Sequence, residues 1–130
     1  MSKKPLFVLA AAAALLLAGG GFIYLRSGMG APEVLRKLSG LRVSLELYAM
    51  EHRRKPAAFG EIIKEGQLEG APSLKLPGHR ATSAVRNAPA FTLSDSGGWA
   101  YVNAPESPDF GLIFIDCAHK DEKGRFWSEF

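Results

Sequence analysis

A single cysteine, Cys117, stands in the 130 residues. One thiol excludes an intramolecular disulfide, so an exported domain must hold together by its core. No cysteine follows Leu17-Ala18-Gly19, which excludes attachment as a lipoprotein. The chain has no phosphate loop, no Gly-rich dinucleotide fingerprint and no His-Glu-x-x-His pair, so nucleotide chemistry and zinc-protease chemistry have no motif to rest on. No acidic residue occurs before Glu33, and no charge of either sign interrupts the 21 residues from Pro5 to Leu25.

That uncharged run is the most informative feature present. At about 1.5 Å of rise per residue it covers the ~30 Å of a bilayer core. Lys3 and Lys4 precede it and Arg26 follows. These three leave 13 basic residues against 13 acidic ones in the remainder, so the net charge of +3 belongs to the flanks of the apolar run. The soluble part is neutral, and no nucleic-acid partner is expected. Residues 1–27 are read as a hydrophobic membrane anchor, with a cleaved export signal as the alternative, since Ala18, Gly19 and Gly20 offer a small-residue cleavage site. The very short N-terminal tail favours a single-pass topology with the tail inside and the domain outside the cytoplasm, periplasmic or otherwise extracytoplasmic. Ser27-Gly28-Met29-Gly30-Ala31-Pro32 breaks the helix, and residues 28–32 are read as a hinge.

Residues 33–130 are read as one soluble domain. Pro32 suits the first turn of a new helix and Glu33 suits its positive end. Val34, Leu38, Leu41, Leu45 and Tyr48 recur at spacings of four and three, one apolar stripe of a helix running to about Arg54. Val43, Leu47 and Met50 form a second stripe roughly opposite, either covered by a later segment or left for a partner. His52, Arg53, Arg54 and Lys55 place cations at the helix end before Pro56. Phe59, Ile62 and Ile63, closing at Gly66, indicate a short second helix, and residues 66–89 an irregular connection. Ala90–Leu93 and Trp99–Asn103 read as strands around a Ser-Asp-Ser-Gly-Gly turn, Gly111–Asp116 as a central strand and Arg125–Ser128 as a final one. The expected fold class is α+β: a membrane helix, then a long amphipathic helix packed on a three- to four-stranded antiparallel sheet.

Three stretches carry a resemblance. Leu41–Pro56, Phe59-Gly60-Glu61-Ile62-Ile63, and Ser96–Tyr101 followed by Phe114-Ile115-Asp116-Cys117 together resemble the type IV pilin and type II secretion pseudopilin superfamily, over residues 34–128. The resemblance implies a pilin-like structural subunit acting in a type IV pilus or type II secretion filament. Its partners would be the membrane and other pilin-like subunits or further copies of itself. Gly21-Phe22 stands at the far end of the apolar run from where that family places its processing site. This departure motivates a second reading, a tethered periplasmic binding module on a pilin-like scaffold.

No enzyme and no organic cofactor are expected. Cys117 and His119 begin a set of zinc donors beside Asp116 and Asp121, with His52 and His79 the remaining histidines. The plain alternative is a buried strand-end cysteine beside a solvated turn. Asp116, Asp121 and Glu122 offer hard oxygens for calcium, which some pseudopilins bind in their C-terminal loops. Cys117 and His119 also lie two apart, so in an extended strand end they point the same way as a nucleophile and base would, but no third orienting group is recognisable. Trp99, Tyr101, Phe114, Phe126 and Trp127 read as packing residues of the sheet.

Overall fold

The computed structural model of the chain describes residues 3–130. Its first element, α1 (Lys4–Arg26), has no buried residue. Its mean hydropathy reaches 2.4 over an 18-residue window, so the helix is long and apolar enough to cross a membrane. This signature fits an anchor and an export signal alike.

Residues 27–30 break the helix as the Gly-Met-Gly sequence requires. The break is held by the domain. Leu25 O accepts from Gly78 N at 2.6 Å, Met29 N donates to Lys75 O at 2.8 Å, and Tyr24 Oη accepts from Ala81 N at 3.0 Å. A Cβ on Gly28 would fall 2.7 Å from the backbone nitrogen of Pro77, so only glycine fits this close approach.

The second helix, α2 (Ala31–His52), opens with proline in its first turn and Glu33 beside the positive end. It stops where Arg53 turns left-handed, at φ 55°. Val34, Leu38, Leu41, Leu45 and Tyr48 are all buried, and each fully buried aliphatic side chain contributes about 2 kcal/mol. They pack with Trp99, Tyr101, Ile113, Ile115, Cys117 and Trp127, and with Phe59 and Ile62 from the short helix α3 (Gly60–Lys64) and the segment before it. A helix thus covers one face of a small sheet, the α+β arrangement read from the periodicity.

The sheet departs from the expected antiparallel meander. It has the order β1 (Val85–Ala88), β2 (Trp99–Val102), β3 (Ile113–Ile115). β1 pairs with β2 in parallel and β2 with β3 antiparallel, with Trp99 opposite Ile115 and Tyr101 opposite Ile113. The expected strand at 90–93 is a crossover loop. Phe91 leaves the ladder to meet the Phe114 ring edge-on at 4.6 Å, closing the small outer cluster of Ala100, Val102 and Phe114. The strand lies earlier, at 85–88, inside the segment expected to be irregular. Asn87 there turns its side chain to the Phe59 amide, which disguises the strand in the sequence. The expected last strand, 125–128, is a single bridge from Phe126 to Lys120, followed by a 3₁₀ turn at Trp127–Glu129.

Candidate functional site

At the exit of β3 three distant segments meet. Cys117 is fully buried at the strand end, and His119 follows two residues later with its side chain about half exposed. His79 arrives from the loop after Pro77, and Asp95 from the β1–β2 crossover. The donor atoms of these four residues all lie within 4.8 Å of one another. Among the described residues they form the one such group of three or more histidine, cysteine or carboxylate side chains.

Five of the six donor separations lie between 3.1 and 3.6 Å, and the sixth, from Cys117 to Asp95, is within 4.8 Å. Cys117 Sγ lies 3.4 Å from His79 Nε2 and 3.4 Å from His119 Nδ1. The two imidazole nitrogens are 3.1 Å apart. Asp95 Oδ1 is 3.3 Å from His79 Nε2 and 3.6 Å from His119 Nδ1. The sulfur also accepts from His119 N at 3.4 Å, and Asp95 Oδ1 accepts from Ala118 N at 2.8 Å. Burial pushes the Cys117 thiol up to about 11, which works against a thiolate at pH 7.

Local backbone chemistry places these donors. Asp95 sits in the left-handed region at φ 58°, which aspartate tolerates better than most residues. Gly97, at φ 74°, lets the crossover pass close to His79: a Cβ there would fall 2.6 Å from Nδ1 of that ring. The crossover is wound around the buried carboxylate of Asp116. Its Oδ1 accepts from Ser94 N at 2.8 Å and Asp95 N at 3.2 Å. Its Oδ2 accepts from the Ser94 and Ser96 hydroxyls at 2.6 and 2.7 Å and from Arg86 Nε at 3.2 Å. Although burial opposes ionisation, these hydrogen bonds from Ser94, Ser96 and Arg86 together hold the carboxyl far below the usual carboxylate range.

The calcium donors read from the sequence, Asp116, Asp121 and Glu122, have other partners or stand apart. Asp116 has committed both oxygens to the crossover and to Arg86. Asp121 receives Arg125 in a two-pronged pair at 2.9 and 2.7 Å and caps its own turn through the amides of Lys123 and Arg125. Glu122 is exposed, and the three are not brought together. His52 also lies apart, stacked on Tyr48 with ring centroids 4.0 Å apart. Of the zinc donors considered in the sequence, Cys117, His119 and His79 converge. Asp95 was missed because Ser-Asp-Ser-Gly-Gly reads as an ordinary turn; its one signal is an aspartate in a glycine-rich crossover.

A second feature lies on α2. Val43, Leu47 and Met50 are 57%, 49% and 63% exposed, so no later segment of the chain covers this stripe. Leu47 and Met50 line a shallow groove with Glu51, Glu65, Gly66 and Gln67.

No protein-family model, no curated protein and no solved structure matches this chain.

Proposed function

We propose that the protein is a membrane-anchored, pilin-like structural subunit, held by α1 in the inner membrane with its domain on the periplasmic side and assembling with other such subunits. The observation that carries this reading is the sequence of helices. A wholly exposed apolar helix runs into an amphipathic one that spends one face on its own sheet and leaves Val43, Leu47 and Met50 uncovered. Confinement to a bilayer raises the effective concentration of such faces, so a modest apolar stripe suffices for association.

Membrane fractionation and cross-linking of native membranes test this. The full chain is expected in the membrane fraction with an intact N-terminus, and to co-purify with further copies or other single-helix subunits. A chain recovered soluble and shortened near Gly21, or one that stays monomeric in the membrane, would overturn it.

A further inference from the structure

We propose that His79, Asp95, Cys117 and His119 bind one zinc(II) ion in a closed tetrahedral site that fastens the end of β3 to the two loops beside it. The inference stands on side chains the assembly reading does not use, so either can fail alone.

Geometry is the first argument. With Zn–N near 2.05 Å and Zn–S near 2.3 Å, a tetrahedron sets nitrogens about 3.3 Å apart and sulfur about 3.6 Å from nitrogen. The nitrogens, 3.1 Å apart, and the sulfur, 3.4 Å from each, fall about 0.2 Å inside those values, and Asp95 Oδ1 lies 3.3 and 3.6 Å from the nitrogens. Four side chains from three segments hold these spacings only if each is separately positioned, and Asp116 and Gly97 do that for Asp95 and His79.

Donor chemistry is the second. One thiolate and two imidazoles suit a borderline metal and do not suit calcium or magnesium, which take oxygen. In a His₂Cys copper site the fourth ligand stands off on a long axial bond. Here Asp95 Oδ1 is as close to the histidine nitrogens as the sulfur is. Thiolate and carboxylate balance the ion's two charges, leaving a neutral centre beside the core. On binding, the thiol proton passes to solvent; no bond to carbon changes and no redox step is involved. Four protein ligands leave no position for a substrate or an activated water, which marks a structural site.

Its place gives the ion a task. His79 follows Gly78, whose amide holds the carbonyl of Leu25 at the end of α1. His119 precedes the bridge from Lys120 to Phe126, and its carbonyl accepts from Trp127 N at 3.1 Å. The ion ties the anchor's attachment loop to the C-terminal turn, across stretches that carry little regular sheet.

The test uses the full chain in detergent, purified under reducing conditions and stripped with a chelator. Added zinc is expected to bind at one ion per chain and raise the unfolding temperature, while calcium leaves it unchanged. Cobalt(II) is expected to give visible absorption of tetrahedral intensity and a thiolate charge-transfer band in the near ultraviolet. His119→Ala, at a half-exposed position, should keep the fold by circular dichroism and weaken zinc binding at least tenfold. Cys117→Ser should abolish the charge-transfer band; should that variant not fold, His119→Ala decides. The proposal is overturned by non-saturable zinc binding, by an octahedral cobalt spectrum without the thiolate band, by stabilisation with calcium and not zinc, or by unchanged affinity in folded His119→Ala.

Discussion

Asp116→Asn probes how the fold builds its metal-binding cluster. The substitution preserves shape. The amide oxygen can still accept from the Ser94 and Asp95 amides in place of Oδ1. In place of Oδ2 stands an NH₂ group, which the Ser94 and Ser96 hydroxyls can meet by rotating. Arg86 Nε cannot adjust, because it donates to that oxygen at 3.2 Å and now faces another donor. A lost charge-assisted bond costs about 1.5–3 kcal/mol, and leaving the guanidinium facing a donor adds to it. The expected total is about 3 kcal/mol, a large part of the ~5–15 kcal/mol that holds a domain of this size. In thermal melts followed by circular dichroism this is a fall of roughly 10–20 °C. Asp95 sits on the loosened crossover, so zinc affinity, read by competition with a chromogenic chelator, should fall by about 10–100-fold although no ligand has changed. An unfolding midpoint and an affinity both equal to the parent's would refute the claim that Asp116 shapes the crossover.

Gly97→Ala places a methyl group against the His79 ring at a backbone angle alanine adopts poorly. It should cost about 1–2 kcal/mol of stability and weaken zinc binding more than it lowers the melting temperature, measured on the same sample. Glu61 accepts from Tyr48 Oη at 2.7 Å, Arg54 Nη1 at 3.0 Å and Ala57 N at 3.2 Å, and these bonds hold its carboxyl below the usual range. A depressed folded-state value means stability that is present above the unfolded value near 4.3 and lost as pH falls toward the folded one. Melting temperatures taken from pH 6 to pH 3 should decline less steeply in Glu61→Gln than in the parent; parallel curves would contradict this.

The two helical stripes of α2 were legible because a helix repeats its burial every three to four residues. The apolar α1 was legible from an uncharged run long enough to cross a bilayer. The sheet was harder. Val85-Arg86-Asn87-Ala88 carries no apolar alternation, since Arg86 reaches Asp116 and Asn87 reaches Phe59, both across the chain. Ala90–Leu93 alternates well yet stays out of the ladder: Arg86 Nη2 donates to the Thr92 carbonyl at 2.6 Å and Phe91 meets the Phe114 ring edge-on. In the cluster, Cys117 and His119 were visible by their spacing, whereas Asp95 was not: it comes from another segment, brought in by a fully buried carboxylate that the sequence presents as one more acidic residue.

Site-specific photo-cross-linking in native membranes tests the assembly reading most directly. A photoreactive side chain at Leu47 is expected to form adducts with a second copy or another single-helix membrane subunit. The same group at Glu106, exposed in the loop after β2, is expected to form far fewer. Equal labelling from the two positions, or a chain that remains uncross-linked from Leu47 while anchored in the membrane, would contradict it.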